Sequence, residues 1–119
     1  MKNYKELLVW QKAMQTAEET YRLVKLLPKE ELYALSDQMR RAAVSIPSNI
    51  AEGQGRNSAK EFANFLSIAK GSTAELETQL MLCVRLNYLQ QAQADQVLNL
   101  CDEVGKMLTG LIAHITRRY

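Results

Sequence analysis

Apolar residues in this chain recur at alternating steps of three and four, which places them on one face of a packed α-helix. In the first segment these positions are Leu7, Trp10, Met14, Ala17, Tyr21 and Val24. In the last segment they are Val97, Cys101, Val104, Leu108, Leu111 and Ile115. The pattern indicates helices at both ends of the chain. The five Gly and two Pro among 119 residues leave too few turns for a many-stranded sheet.

Two further helices are predicted between these segments. Pro28 ends the first helix, and the acidic residues within 29–31 suit the positive end of a second helix dipole. Pro47 lies in the middle of the second helix, where it deletes one backbone hydrogen bond. We therefore expect Pro47 to kink this helix or to split it in two.

Loop and capping residues set the remaining boundaries. Residues 53–58 form the clearest loop, and Ser58 with Glu61 three residues later makes a capping box for the third helix. The third helix is predicted to end near Asn87, and Asp95 is the expected cap or first-turn acid of the fourth.

Four helices with short connections predict an all-α, antiparallel up-down-up-down four-helix bundle with a Pro47 kink in helix two. Residues 1–119 are one domain on length alone. The 47% hydrophobic and 24% charged content excludes a disordered chain.

Helices one and three carry more apolar residues than one core face requires. The surplus positions are Leu8, Val9, Leu23, Leu26, Met81, Leu82, Val84 and Leu86. A helix that is apolar around most of its circumference is buried on two sides, which predicts a second subunit over Leu23, Leu82 and Leu86. The alternative is a scatter of single surface residues.

The chain lacks the features of a membrane, secreted or metal-binding protein. Its longest apolar run, residues 80–84, is far shorter than a membrane helix, and residues 1–6 lack the apolar stretch expected of a secretory signal. Cys83 and Cys101 have no partner at metal-ligand spacing, so both are predicted to be reduced core residues. A cytoplasmic protein with no membrane partner is expected.

No catalytic group is predicted. His114 is the single histidine, so neither a nucleophile–histidine pair nor a paired Glu-x-x-His di-iron motif can be built. The segment 53–55 lacks the lysine of a phosphate loop and is interpreted as a helix C-cap turn. We expect no enzyme activity, catalytic residue, cofactor, metal or small-molecule substrate.

A polar stripe is predicted where helices two and three meet. Its members are Arg41, Ser45, Asn49, Glu52, Ser72 and Glu75. One interpretation is a structural network in which Arg41 pairs with Glu75 or Glu52 inside the bundle. The other is a surface that faces a ligand or partner, with Gly71 admitting a second backbone.

Cations form the second candidate site. Helix parity places Arg56, Lys60, Arg117 and Arg118 at one end of the bundle, where they are candidate phosphate contacts. Tyr119 beside them is a candidate stacking residue. The net charge of +2 is milder than that of a dedicated nucleic-acid module, and a merely solvated end is the alternative.

The run from Arg40 to Gly53, Arg-Arg-Ala-Ala-Val-Ser-Ile-Pro-Ser-Asn-Ile-Ala-Glu-Gly, resembles the bacterial family of 23S-rRNA intervening-sequence proteins. Residues 9–13, 35–38 and 62–75 fit the same family. Residues 103–108 are also similar to the accessory variability protein of diversity-generating retroelements, a related bundle.

The resemblance implies a small four-helix bundle that assembles into a homopentamer. The retroelement relative is a nucleic-acid-binding partner of a reverse transcriptase, so RNA, a ribonucleoprotein or another nucleic-acid-binding protein is the implied partner. The sequence therefore predicts a homo-oligomeric RNA-associated protein. A protein–protein adaptor with no nucleic-acid role is the alternative.

Overall fold

A computed structural model describes residues 3–117. Four α-helices make up the domain: α1 (Leu8–Val24), α2 (Leu35–Gln54), α3 (Ala59–Arg85) and α4 (Gln91–Thr116). Short 3₁₀ turns at Tyr4–Glu6 and Lys29–Glu31 precede α1 and α2. No strand occurs between residues 3 and 117. The helices pack in a closed ring, α1 on α2, α2 on α3, α3 on α4 and α4 on α1. The four-helix bundle is confirmed.

The predicted apolar faces form the core. The largest apolar side chains with almost no exposure are Met39, Ile46, Ile50, Leu66, Leu76, Leu80, Val97, Val104 and Leu108. Three threonines join them, because each hydroxyl donates to the carbonyl four residues earlier in its own helix. These are Thr16, Thr20 and Thr73, at 2.8, 2.8 and 2.9 Å. Within the described residues, no helix is long and apolar enough to cross a membrane.

The start of α2 differs from the prediction. Residues 29–31 form a separate 3₁₀ turn, and the α-helix begins at Leu35. Glu31 still serves the helix, since its Oε1 accepts from the Leu35 amide at 3.3 Å and its Oε2 from the Tyr88 hydroxyl at 2.8 Å. Tyr88 thus ties the α3–α4 turn to the entrance of α2.

Pro47 lies inside an unbroken α2, so the prediction of two separate helices is wrong at this point. The ring nitrogen cannot donate to the carbonyl of Ala43, and the kink at Pro47 stays a prediction.

Capping residues define both ends of α3 and the start of α4. Ser58 caps α3, accepting from the Glu61 amide at 3.1 Å, but the Glu61 carboxylate accepts from the Ser58 hydroxyl at 3.3 Å, so only half of the predicted capping box forms. The C-terminus of α3 closes as a Schellman motif, with Asn87 in the left-handed region at φ 62°. The prediction of Asp95 as the α4 cap or first-turn acid is wrong, because α4 begins at Gln91 with no acid in its first turn, and Gln90 and Gln93 form a reciprocal capping box.

The structure also bears on the predicted subunit contact at Leu23 and on the predicted close approach at Gly71. Val9 and Leu23 are buried in the core of the single chain, so Leu23 is not a subunit contact. A β-carbon on Gly71 would meet no side chain or neighbouring helix within 4 Å in the described structure, so Gly71 packs against no other helix of this chain, and its approach by a partner stays a prediction.

Candidate functional site

The polar stripe between α2 and α3 is a hydrogen-bonded link at its centre. Ser45 and Ser72 join the two helices through hydroxyls 2.8 Å apart. Asn49 donates from Nδ2 to the Ser45 hydroxyl at 2.9 Å and to the Ser45 carbonyl at 2.8 Å. All three side chains are half-buried, so the structure brings these predicted residues together as one network.

The charged members of the stripe do not join this network. The Arg41 side chain is 79% exposed, and its Nε lies 3.1 Å from the Asp37 carboxylate one turn earlier on α2. Glu52 pairs instead with Arg56, at 2.6 Å, and Glu75 is exposed. The predicted buried pair of Arg41 with Glu75 or Glu52 is therefore wrong. Solvent and a neighbour on the same helix satisfy Arg41 without the cost of desolvation.

Gln79 is a polar residue of the same α3 face that sequence reasoning missed. It lies two turns after Ser72 and is only 7% exposed. Its Oε1 atom is buried and accepts no hydrogen bond within the described part of the chain. The helical spacing from Ser72 was the available signal, since residues seven apart share a face.

The predicted basic end is only partly free. Antiparallel packing puts the end of α2, the start of α3 and the end of α4 together, so Arg56, Lys60 and Arg117 share one end of the bundle. Arg56 is engaged, since its guanidinium pairs with Glu52 and lies 4.7 Å from the Phe65 ring centroid. Lys60 and Arg117 are exposed and form no ion pair within residues 3–117. Arg118 and Tyr119 lie outside the described residues.

Two apolar surfaces remain outside the complete core. The first, called the α1–α2 groove, is an open concavity of about 640 Å³ lined by Trp10, Met14, Tyr21, Val44 and Pro47. Tyr4 packs edge-on against Trp10, with ring centroids 5.3 Å apart, and borders the same groove.

The second surface, called the α3 outer row, consists of Ile68, Leu82 and Leu86. Leu82 is 43% exposed and Leu86 is 46% exposed. Their spacing from Ile68 keeps all three on one flank of α3, the flank that bears Ser72 and faces the α2 side. The predicted subunit contacts Leu82 and Leu86 are therefore available at the surface of the single chain.

Comparison with known proteins places this bundle among its relatives. The family model of the 23S rRNA-intervening sequence protein matches residues 5–110. The chain belongs to this family. A crystal structure of a protein of unknown function from the S23 ribosomal protein family of Bacteroides thetaiotaomicron VPI-5482 is 30% identical to it. The match covers 88% of this chain and 98% of that one, with a TM-score of 0.82. Comparison with curated proteins gives no match.

The interior of this 23S rRNA-intervening sequence family member holds few ionisable groups. Burial raises the pKa of the Cys83 thiol to about 11, with a smaller contribution from Glu31. Burial and Glu77 together raise the pKa of Cys101 to about 12. Both thiols are therefore neutral at physiological pH and pack as apolar residues.

Metal-ligating side chains are not gathered into a site in the described part of the chain. Within residues 3–117, no group of three or more His, Cys, Asp and Glu side chains is placed to hold a metal ion. His114 is exposed on the last turns of α4. Gly55 caps the C-terminus of α2 as predicted, with its amide bonded to the carbonyls of Glu52 and Gly53, whereas Gly53 lies inside the helix and not in the predicted loop. The features suited to binding are the α1–α2 groove, the α3 outer row, the Ser45–Ser72 link and the exposed cations.

Proposed function

We propose that this chain is a cytoplasmic, non-enzymatic binding protein that assembles with copies of itself and associates with RNA. One observation carries the assembly: the core of the single chain is complete, yet two separate apolar surfaces stay exposed. A monomer of this size rarely leaves large apolar patches in water, and such patches mark interaction sites.

The two surfaces suit contact between different faces of neighbouring copies. The α1–α2 groove is concave and aromatic, and the α3 outer row presents exposed aliphatic side chains at Leu82 and Leu86, with Ile68 further along the same flank. If the exposed leucines of one copy enter the groove of the next, the contact is head-to-tail, the type that forms a ring when the rotation between copies closes. Five copies is the number that the family resemblance implies.

Exposed cations support the RNA part of the proposal. Lys60 and Arg117 are exposed at one end without a paired carboxylate in the described chain, and Arg56 lies beside them. Assembly multiplies their effect, because five copies at +2 each carry a formal charge of +10. The match to a family described by 23S rRNA agrees with an RNA partner. Contacts of this kind are weak, electrostatic and tolerant of sequence.

Fluorescence anisotropy of a labelled single-stranded RNA tests this function at two salt concentrations. Each phosphate contact steepens the log–log salt dependence by about 0.7, so binding must weaken as salt rises. The double variant Lys60→Gln/Arg117→Gln is expected to bind more weakly than Lys70→Gln/Lys106→Gln, a control of equal charge change on the middle of α3 and α4. Binding that ignores salt, or no binding at all, contradicts the RNA association.

A protein–protein adaptor without a nucleic-acid role is the second candidate. The exposed side chains of Arg41 and Glu75 favour it, because they border the polar link beside the α3 outer row. Charged residues around an apolar strip are typical of the rim of a protein interface. An oligomer that binds no RNA at low salt would support the adaptor over the RNA-associated protein.

A further inference from the structure

A second groove lies at the opposite end of the bundle from Arg56, where α1 ends and α2 begins. It has a volume of about 390 Å³ and extends from Tyr21 across the Pro28 turn to the first turns of α2. Three of its lining residues are cations, Lys25, Lys29 and Arg40, and no carboxylate lines it among the described residues. We call it the cationic groove.

Ser36 is the polar group that points to a ligand in this groove. It lines the groove and is only 3% exposed, yet its hydroxyl has no hydrogen-bond partner among residues 3–117. The hydroxyl oxygen keeps some contact with solvent, so a ligand in the groove can reach it. A phosphate oxygen accepts from a hydroxyl and is attracted by the surrounding cations.

Arg40 is already held in position for such a ligand. Its Nη2 donates to the Leu32 carbonyl at 3.1 Å, and its side chain is only 24% exposed. The nearest carboxylate, Asp37, is 3.9 Å from Arg40 and forms its shorter contact, 3.1 Å, with Arg41. Of the two acids that follow Lys29, Glu31 bonds to the Leu35 amide and the Tyr88 hydroxyl, and Glu30 is exposed to solvent. Lys25 and Lys29 are exposed and form no ion pair with a carboxylate in the described part of the chain, so both remain available to a ligand.

We propose that the cationic groove binds a backbone phosphate of single-stranded RNA. Lys25, Lys29 and Arg40 neutralise the phosphate charge, and Ser36 donates a hydrogen bond to a phosphate oxygen. Tyr21 is exposed at the edge of the groove and offers a ring on which the adjoining base stacks. The inference rests on the proposed RNA association and assigns it a site distinct from the basic end.

The test is an anisotropy titration of a labelled oligouridine of about 20 nucleotides, a length that spans several phosphate contacts. Lys25→Gln/Lys29→Gln is expected to lower affinity about tenfold at low salt and to reduce the salt slope by about 1.4. Lys70→Gln/Lys106→Gln, with the same charge change elsewhere, should stay within about twofold of wild type.

Ser36→Ala tests the groove without changing the net charge of the protein. The hydroxyl has no partner in the free protein, so the melting temperature should not fall, whereas RNA affinity should drop about tenfold. If both groove variants bind RNA as the wild type does, the cationic groove is not the site, and the RNA association itself stands. If the wild type binds no RNA, the proposed function and this inference both fail.

Discussion

A β-carbon added to Gly53 would lie 2.6 Å from the β-carbon of Phe65. It would also approach the Phe62 ring and carbonyl, at 3.1 and 3.3 Å. Helices α2 and α3 thus approach each other closely just before the loop that joins them. The glycine in this position serves helix packing.

Gly53→Ala is expected to lower the free energy of unfolding by about 1–3 kcal/mol, because a fixed Phe65 β-carbon cannot move aside without a shift of α3. Gly71→Ala is the matched control, since its β-carbon meets open space and alanine favours the helix by about 0.5–1 kcal/mol. Urea unfolding of both variants measures the difference. Equal effects of the two substitutions would show that the helices are not in tight contact at Gly53.

Arg41→Ala is expected to change the free energy of unfolding by less than about 0.5 kcal/mol, because its ion pair with Asp37 is exposed to solvent. Ser45→Ala should cost about 1–2 kcal/mol, since it removes the partner of Ser72 and one acceptor of Asn49. Thermal melts of the two variants rank them directly. If Arg41→Ala loses more stability than Ser45→Ala, Arg41 forms a buried ion pair, which contradicts the structure.

Glu77→Gln is expected to stabilise the protein at neutral pH. Burial, and secondly the negative charge of Asp102, raises the pKa of Glu77 above its ordinary value of 4.5. The folded state therefore holds this proton more tightly than the unfolded state. Its contribution is fully present below pH 4.5 and is lost as pH rises through the folded-state pKa.

Glu77→Gln has no carboxyl group to titrate, so its free energy of unfolding should not fall in this way. It should exceed that of the wild type as pH rises, and the difference should vanish below pH 4.5. Urea unfolding across this range checks the sign. An advantage that is equal at acid and neutral pH would mean that the Glu77 carboxylate is not desolvated.

The helices and the core follow from apolar spacing, because burial of one helix face depends on local periodicity. Met39, Ile46 and Ile50 are buried as that spacing predicts. The buried threonines were missed because Thr16 and Thr20 read as polar in a hydrophobic pattern. Their hydroxyls bond to carbonyls of their own helix, so they are buried without a cross-chain partner.

The candidate sites were harder to predict, because they depend on which side chains meet across helices. Helix spacing correctly grouped Ser45 with Asn49, but it cannot tell whether a long side chain such as Arg41 turns inward or toward Asp37. The cationic groove could not be predicted, because its residues come together only when the start of α2 is placed correctly. With α2 predicted from Lys29, that lysine and Ser36 belong to one helix, whereas the real turn folds Lys29 beside the end of α1.

Self-assembly through exposed apolar surfaces is the central claim. A double substitution in the α3 outer row tests it. Leu82→Ser/Leu86→Ser removes two exposed leucines of the row. Met81→Ser is the matched control, because Met81 is equally exposed on α3 but lies on another face of the helix. Both changes leave the core untouched, so each variant should keep its helical circular dichroism.

Sedimentation velocity at micromolar concentration tests the claim most directly. The wild type and Met81→Ser are expected to sediment as an oligomer of several 13.5 kDa chains, with five as the number implied by the family resemblance. Leu82→Ser/Leu86→Ser is expected to shift toward the single chain. A wild-type protein that sediments at 13.5 kDa would contradict the account.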